Sequence, residues 1–295
     1  MKILLYIAAP FLYLFSLLPL KVLYLVSDLI NWLLSNFLSY RKKIVVANLR
    51  NAFPELSAEE ISVLTKKHYR YLLDLIFEIL KMFSSPRAWT DKMVDIEGEE
   101  VLTKLYAEEK SVILVTGHMG NWELAGSKIC NFCQHEVFSV YHPLTNEVLD
   151  KWFLNMRSSK GVTMFTMEDT VKAMIRNRRK LTLTGFISDQ TPSNLDEHWM
   201  TFLNQETLVF RGAGLLAKKL NFPIVFLSTT RPKRGKYIIH AELVCENPQA
   251  FSIEELTEMH IKKLEENIIK QPEIWLWTHR RWKRKKPAKS NIITR

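Results

Sequence analysis

The amino-terminal segment constrains the fold most, because it opens with a long apolar run. Residues 3–20 read ILLYIAAPFLYLFSLLPL and contain no charged side chain. Such a run is long enough to cross the apolar core of a bilayer, although Pro10 and Pro19 interrupt it. A cleaved signal peptide is the alternative, but no clear small-x-small cleavage site follows and more apolar sequence does. We therefore favour a retained hydrophobic anchor.

The next stretch, residues 22–38, is also apolar but carries polar side chains such as Asp28 and Asn31. That mixture suits a helix that is buried or lies at a membrane interface, rather than a second span. We therefore predict two parts. Residues 1–40 form a membrane anchor with interfacial helices, and residues 41–295 form a second domain with a basic carboxyl-terminal tail.

The charge balance is strongly basic, with 41 Lys and Arg residues against 31 Asp and Glu residues and a net charge of +10. Such a chain usually has an acidic partner: nucleic acid, an anionic membrane surface or a phosphorylated substrate. The basic run 279–286 lies among Trp275, Trp277 and Trp282. Because Trp and basic residues together are typical of the head-group region, we predict membrane contact and no nucleic-acid partner. The cations at 41–43, just after the anchor, favour the cytoplasmic side.

Behind the anchor, short strand patterns alternate with helical patterns. This alternation predicts an α/β fold, with a central mostly parallel or mixed sheet flanked by helices, after an N-terminal hydrophobic membrane-anchoring helix. Two capping boxes, Ser57 with Glu60 and Ser252 with Glu255, mark the starts of long helices. The predicted strands are 111–116, 136–141, 181–188, 223–229 and 237–244, and further helices are predicted at 122–132, 146–159 and 212–220.

One predicted strand, 111–116, runs directly into the sequence GHMGNWE at 117–123. His118 is therefore expected at the carboxyl end of a strand, where α/β sheets place their reactive groups. On a continuous helix five residues rotate by about 140°, so His118 and Glu123 would not face each other. They meet only if His118 lies in the turn before the helix, which Gly120 favours. The carboxylate then holds one imidazole nitrogen and leaves the other as a base.

The chain contains no Gly-x-Ser-x-Gly motif that would present a serine nucleophile beside this histidine. We therefore expect the nucleophile to come from the substrate: a hydroxyl or amine, deprotonated by His118, attacks an activated acyl carbonyl. The competing interpretation is a buried structural histidine at a strand end, because a single His and Glu pair is a weak signal. The spacing alone leaves both open.

Cys130 and Cys133 form a Cys-x-x-Cys pair, which is compatible with redox chemistry or with half of a zinc site. A zinc site of this kind needs a second pair, and the third cysteine, Cys245, is distant in sequence. We therefore interpret the pair as two thiols on a buried helix and predict no metal site.

The spacing His-x-x-x-x-Glu resembles the catalytic motif of the glycerolipid acyltransferase superfamily, which ends in Asp or Glu. Two further segments, YRKKIVVANLRNAFP at 40–54 and PEIWLWTHRRWK at 272–283, resemble signatures of the late acyltransferases of bacterial lipid A biosynthesis. FISDQ at 186–190 and YHPLTN at 141–146 occupy matching intermediate positions. The resemblance therefore extends over nearly the whole chain.

This resemblance implies an enzyme of the lauroyl- or myristoyltransferase type, with residues 41–295 as its acyltransferase domain. Such enzymes move a fatty acyl chain from acyl carrier protein to a hydroxyl of a lipid A precursor, at the cytoplasmic face of the bacterial inner membrane. No metal and no organic cofactor is expected. His118 is then the general base, Glu123 orients it, and Arg157 matches a family arginine that holds substrate, unless it is a solvated helix residue.

Three more residues are candidate substrate-binding groups. Asp189 and Gln190 follow a predicted strand, where they either line the cleft or cap the next turn. Arg211 precedes a predicted helix whose amides are able to receive an anion, although a plain turn explains it equally well. His279 is also weighed as a second catalytic histidine, but no carboxylate is adjacent to it in sequence.

The wider superfamily has a Glu-Gly-Thr-Arg phosphate-binding block that is absent here, and DQTP at 189–192 stands roughly in its place. This departure argues against a glycerol-3-phosphate or lysophosphatidate acceptor and fits the lipid A branch. An acceptor of another kind, such as an aminolipid, an ornithine-type lipid or a lysophospholipid, stays open. So does a non-catalytic protein that binds the membrane surface.

Overall fold

The computed structural model describes residues 2–37 and 40–287 of the chain. Parts of the predicted anchor and tail, namely residues 1, 38–39 and 288–295, lie outside the described residues. The helices are α1 (Lys2–Ser16), α2 (Leu20–Phe37), α3 (Lys42–Ala52), α4 (Ala58–Met82), α5 (Arg87–Met93), α6 (Glu99–Ala107), α7 (Trp122–Phe132), α8 (Glu147–Ser159), α9 (Thr170–Arg176), α10 (Gly212–Leu220) and α11 (Ile253–Lys270). The strands are β1 (Val94–Glu97), β2 (Val112–Thr116), β3 (Glu136–Tyr141), β4 (Thr163–Thr166), β5 (Thr182–Ile187), β6 (His198–Phe202), β7 (Gln205–Val209), β8 (Ile224–Lys233) and β9 (Lys236–Cys245).

Seven strands form the central sheet, in the order β1-β9-β8-β2-β5-β3-β4. Among the described strands of this sheet, every pairing is parallel except that of β8 with β9. The strands β6 and β7 form a separate antiparallel hairpin. The predicted α/β class with a mostly parallel central sheet is therefore confirmed.

The middle strand, β2, explains why the sheet needs helices on both faces. Its run of apolar residues from Val112 to Val115 is buried throughout. Ile113 and Val115 belong to one core cluster, whereas Val112 and Leu114 belong to a second cluster. Because successive strand side chains point to opposite faces, the two clusters lie on opposite sides of the sheet.

The predicted capping boxes are both present and fix the starts of two long helices. The Ser57 side chain accepts the backbone N–H of Glu60 at the start of α4, and Ser252 does the same for Glu255 at the start of α11. In each box the glutamate carboxylate accepts the serine backbone N–H in return. Each box therefore satisfies two amides that the first helical turn leaves without partners.

The amino-terminal apolar segment folds as two helices rather than one. In the described part of the chain no single helix is long and apolar enough to cross a bilayer. The segments Ala9–Ser16 and Leu20–Leu33 meet that test only as a pair, with a bend of 117° between them. The predicted single anchoring helix is therefore not confirmed. The break falls around Pro19, which cannot donate a backbone hydrogen bond to the preceding turn.

Large apolar side chains on these two helices remain exposed while the opposite side of α2 packs on α4. Ser27 of α2 donates to Asp74 of α4 at 2.9 Å, and Tyr24 donates to Glu78 at 2.6 Å. The exposed set on the two helices comprises Phe11, Leu12, Tyr13, Leu14, Val22, Leu25, Leu29, Trp32 and Leu33. A concentration of exposed apolar side chains of this kind is typical of a membrane or protein interaction site.

Candidate active site

His118 lies in the turn between β2 and α7, as the spacing requires. Gly120 has φ of +52°, a left-handed conformation that disfavours other residues, and it sits in the middle of this turn. The Asn121 side chain then caps α7 by accepting the backbone N–H of Leu124 at 3.1 Å. The prediction that His118 precedes the helix is therefore confirmed.

The imidazole of His118 is held by Asp189, which follows the neighbouring parallel strand β5. Nδ1 lies 2.6 Å from Oδ1 of Asp189, and the backbone N–H of His118 donates to Oδ2 at 2.7 Å. The indole of Trp275 donates to the same Oδ2 at 2.8 Å. Since β2 and β5 are paired through Thr116 and Ile187, both side chains emerge at the same edge of the sheet.

Asp189 is only 3% exposed, yet it is a carboxylate at neutral pH. Burial by itself would raise its pKa, but the charge and hydrogen bonds of His118, with the Trp275 hydrogen bond, lower the pKa of Asp189 to about 2. The carboxylate is thus placed to accept the Nδ1 proton of the ring, and in a neutral imidazole this contact fixes the tautomer with Nε2 as the basic nitrogen. Trp122 packs edge-on against the ring, with centroids 4.8 Å apart.

Glu123 does not hold the imidazole, which corrects the expected pairing. Its two oxygens accept from Arg157 of α8, with 2.9 Å to Nε and 2.6 Å to Nη2. Glu123 occupies the first turn of α7, and its side chain is directed toward α8, whereas Asp189 reaches both the ring and the backbone of His118. The predicted residues thus belong to two separate charge pairs, His118–Asp189 and Arg157–Glu123.

Gln190 and Arg211, the remaining predicted binding residues, have different surroundings. Gln190 is half-buried directly beside Asp189. Arg211 precedes α10, and its guanidinium is bonded to the Asp196 carbonyl at 2.8 Å and to the Glu254 carboxylate at 3.3 Å. The described contacts of Arg211 therefore do not bring it to the His118–Asp189 pair.

The segment after Asp189 is fixed to the carboxyl-terminal part of the chain. The Thr191 hydroxyl donates to the Arg281 carbonyl at 2.6 Å, and its backbone N–H donates to Nε2 of His279 at 3.3 Å. Burial lowers the pKa of His279 to about 4, although Asp189 attracts its charged form. His279 therefore lies near the pair as a neutral acceptor, a neighbour that adjacency in sequence did not reveal.

Two of the three tryptophans expected at a membrane interface are buried in the protein instead. Trp275 and Trp277 are 2% and 0% exposed, and Trp282 is half-buried. Each indole N–H has an internal acceptor, namely Asp189, the Pro272 carbonyl and Thr207 respectively. Tryptophan is stable in a protein core as well as at an interface when its N–H has an acceptor. Composition alone therefore does not distinguish the two locations.

The same carboxyl-terminal segment supports the turn that carries His118. The backbone N–H of Gly120 donates to the Ile274 carbonyl at 3.0 Å, and Met119 pairs with Trp275 as an isolated antiparallel bridge. Arg281, in the predicted basic run, is also buried, at 2% exposed, with Nε and Nη1 lacking described partners. Burial lowers the pKa of Arg281 to about 10, against the attraction of Asp189.

A buried glutamate, Glu78 of α4, supports the other side of this turn. It is 0% exposed and accepts from Asn121, Tyr24 and Tyr237 at 3.0, 2.6 and 2.6 Å. Burial raises the pKa of Glu78, while Arg231 and these donors oppose the rise. Asn121 caps α7 with its oxygen and uses its nitrogen for Glu78, so α7 is tied to α4 and α2.

The cysteine pair lies at the end of α7, away from these contacts. Burial raises the pKa of Cys130 to about 12, so this thiol is protonated at neutral pH. Cys133 lies 3.2 Å from Nδ1 of His135, between sulfur and nitrogen. Within residues 2–37 and 40–287, no group of three or more His, Cys, Asp or Glu side chains is arranged to hold a metal ion.

Comparison with known proteins identifies the family of this chain. Residues 1–284 match the family model described as bacterial lipid A biosynthesis acyltransferase. The chain is 23% identical over 280 residues to the lipid A biosynthesis palmitoleoyltransferase of Escherichia coli K12, covering 93% of this chain and 89% of that relative. It is 25% identical over 272 residues to the lipid A biosynthesis lauroyltransferase of that strain, covering 90% and 87%. Because the family match spans nearly its whole length, the chain belongs to the bacterial lipid A biosynthesis acyltransferase family.

Proposed function

We propose that this chain is a membrane-bound O-acyltransferase that moves a fatty acyl chain from acyl carrier protein to a hydroxyl of a lipid A precursor. The observation that carries the proposal is the distance of 2.6 Å between Nδ1 of His118 and the buried carboxylate of Asp189. This contact leaves Nε2 as a base at a strand end, in a chain whose family is named for lipid A acyl transfer.

The reaction begins when Nε2 of His118 takes the proton of the acceptor hydroxyl. The hydroxyl oxygen then attacks the carbonyl carbon of the acyl thioester, and a tetrahedral oxyanion forms. When the carbon–sulfur bond breaks, the departing thiolate takes the proton back from His118. Asp189 stabilises the imidazolium that exists between the two proton transfers, as the third member of a catalytic triad does.

We assign to Arg157 the role of binding negative charge on the substrate. Its Nε and Nη2 are used by Glu123, and Nη1 has no protein partner in the described chain. Glu123 thereby holds the guanidinium in one orientation, so that its remaining donors can bind the oxyanion or an anionic part of the acceptor. Glu123 becomes a positioning residue for Arg157 instead of for His118.

The exposed apolar surface of α1 and α2 supports a location at the bacterial inner membrane. A bent pair of helices with this surface can insert into one leaflet or cross the bilayer, and the cations at 41–43 favour the cytoplasmic face. An acceptor with long acyl chains is insoluble in water, so an enzyme that acts on it must meet it at the bilayer. The exposed apolar helices provide that contact.

Acyl carrier protein is the proposed donor. It is an acidic protein, and exposed basic residues lie near the candidate active site. Arg280 follows His279, and the exposed residues 283–286 are all basic. Arg41 joins them, since its guanidinium donates to the Thr278 carbonyl at 3.0 Å. Complementary charge accelerates the encounter of such partners and makes it salt-dependent.

The test is acyl transfer by membranes that contain the His118→Ala variant, with acyl carrier protein thioester as donor. We expect transfer to fall by about 10²–10⁴-fold, the usual contribution of a general base, while membrane binding is unchanged. Retained transfer would refute the assignment of His118. The variant leaves α1 and α2 unchanged, so retained membrane binding shows that lost transfer does not come from lost contact with the bilayer.

The acceptor is tested by mass spectrometry of the lipids from a strain that lacks the gene. We expect lipid A that is short of one acyl chain. An intact lipid A pattern with a changed aminolipid, ornithine-type lipid or phospholipid would assign the same chemistry to that acceptor. If no lipid changes and His118→Ala behaves as wild type, the chain is a membrane-surface binder.

A further inference from the structure

A basic cavity lies between α4, the β8–β9 hairpin and the segment 271–274. Its volume is about 250 Å³. Two carboxylates, Asp74 and Glu273, are among its lining residues. Five cationic side chains also line it: Lys67, Arg70, Arg231, Lys233 and Arg234. The lining therefore carries three more positive than negative charges, which favours an anionic ligand.

The arginines of this cavity are held in place by Asp74, which is buried. Asp74 accepts from Arg231 at 2.7 Å and from Arg234 at 2.5 Å, and it also accepts the hydroxyl of Ser27. These bonds fix the two guanidinium groups before any ligand arrives. A site with fixed donors loses less conformational entropy when it binds an anion than one built from mobile side chains.

Several donors remain for a ligand after these internal bonds are counted. Lys67 and Lys233 make no ion pair with any residue in the described chain, and both are exposed. Arg231 uses Nη2 for Asp74, whereas its Nη1 has no described protein partner. Ammonium and guanidinium groups that converge in this way are the usual ligands of phosphate in proteins.

The cavity lies beside the apolar helices. Arg234 at the hairpin tip stacks on Tyr24 of α2, with 4.2 Å from the guanidinium carbon to the ring centre, and donates to Asp28 at 2.8 Å. Leu25 and Leu29 of the same helix are exposed by 69% and 57%. Cations at the edge of an apolar surface are typical of the head-group level of a bilayer.

One wall of the cavity is also joined to the turn that carries His118. Tyr71 lines the cavity and donates its hydroxyl to the Gly120 carbonyl at 2.6 Å. Ile274, which lines it too, accepts the backbone N–H of Gly120 at 3.0 Å. A ligand in this cavity would therefore lie against the residues that support the active-site turn.

We propose that this cavity binds a phosphate group carried by a membrane lipid, at the bilayer surface and next to the active site. The proposal rests on the proposed function in placing the chain at a membrane and, where the lipid is the acceptor, in acyl transfer as well. The lipid is either an anionic phospholipid that holds the enzyme on the bilayer or the acceptor itself, where the acceptor carries a phosphate.

The test uses the full chain with Lys67→Ala and Lys233→Ala combined, because both lysines are exposed and neither is bonded to the active-site turn. Lys172→Ala with Lys219→Ala is the matched control, since it removes the same charge from exposed lysines outside the cavity. Binding is measured by sedimentation with phosphatidylcholine vesicles, with and without phosphatidic acid. Thermal unfolding verifies that both double variants are folded.

If the cavity holds a bulk phospholipid, we expect the cavity variant to lose about 30-fold in affinity for the phosphatidic acid vesicles, because each of the two basic residues near an anionic surface contributes about fivefold. The control variant should lose less than about tenfold in the same affinity, because its two lysines do not lie beside one phosphate. Binding to phosphatidylcholine alone should not change in either variant.

If the phosphate belongs to the acceptor, vesicle binding stays as in the control, but the KM for a phosphorylated acceptor rises about 30-fold with kcat retained. The KM for the same acceptor without phosphate should then be unaffected. Vesicle binding and KM that both equal those of the control would overturn the proposal. The His118→Ala variant separates the two proposals, since it should lose transfer and keep lipid binding.

Discussion

The two charge pairs of the candidate active site use their carboxylates in different ways. Asp189 is bonded to the ring of His118, whose protonation changes during a proton transfer. Glu123 gives both oxygens to Arg157, which stays charged at every physiological pH. The first pair is therefore suited to moving a proton, and the second to presenting a constant positive charge. The partner of each carboxylate determines its role, not its distance from His118 in sequence.

The largest difference between the pairs should appear when Asp189 is replaced by Asn. We expect kcat to fall by about 10²–10⁴-fold, because Asn keeps the shape of Asp but cannot stabilise the imidazolium by charge. Initial rates of acyl transfer at saturating donor and acceptor measure this, with thermal unfolding to verify the fold. A folded Asp189→Asn enzyme with nearly wild-type kcat would remove the distinction between the pairs.

Changes to the second pair should be milder and should not depend on pH. Arg157→Lys keeps the charge but loses the two-pronged contact, so we expect kcat/KM to fall by about 10–100-fold. Glu123→Gln should cost about as much, and the double variant should cost less than the two together, because both act on one contact. Additive losses, or a shifted pH–rate profile in either single variant, would argue that Glu123 acts on His118 after all.

Much of the frame of this site follows from local sequence. The apolar strand 112–116, the glycine turn and the helix that begins at Trp122 predict that His118 stands at a strand end, and it does. The capping boxes at Ser57 and Ser252 predict their helices for the same reason, since a cap involves residues only three apart. Local rules work wherever the bonded groups are near in sequence.

The partner of His118 could not be predicted in this way. Asp189 lies 71 residues further along the chain and reaches the ring only because β5 pairs with β2. Trp275, 86 residues beyond Asp189, completes the site from the far end of the chain. Strand order is a property of the folded sheet, so the sequence pattern points to the nearer carboxylate, Glu123, instead of Asp189.

The apolar amino-terminal end of the chain and its tryptophan-rich carboxyl-terminal end show the same limit of prediction from sequence. Both suggested membrane contact, but α1 and α2 leave large apolar side chains exposed while Trp275 and Trp277 are buried. What separates them is the presence of internal acceptors for the indole N–H groups, which composition does not show. The basic residues near these tryptophans also differ in exposure, since Arg281 is buried and Arg280 is exposed.

A smaller effect on the first pair is expected from Trp275→Phe. This change removes the indole hydrogen bond to Asp189 and leaves a buried ring, so we expect kcat to fall by about tenfold, the equivalent of one hydrogen bond to a charged group. Trp277→Phe is the control, because its indole donates to the Pro272 carbonyl instead. It should lower stability without a comparable loss of kcat. Equal losses of kcat in both would mean that Trp275 only fills space.

The smallest expected effect concerns His279, which lies beside the first pair and not the second. Its Nε2 accepts the Thr191 amide, and burial lowers its pKa to about 4 from an ordinary value near 6.5, against the opposing attraction of Asp189. Because the folded pKa is the lower one, neutral His279 contributes stability above about pH 6.5 that is lost as pH falls toward about 4.

The His279→Asn variant should therefore lose less stability than wild type between about pH 6.5 and pH 4, by about 1 kcal/mol once the partial exposure of the ring is taken into account. Urea unfolding at both ends of this window measures the difference. Other buried histidines with lowered pKa, His68 and His260, are common to both proteins and cancel. Arg157→Lys should follow the wild-type slope, because it leaves His279 unchanged. If His279→Asn also follows it, the burial of His279 beside the first pair does not contribute to the acid sensitivity, and this prediction is wrong.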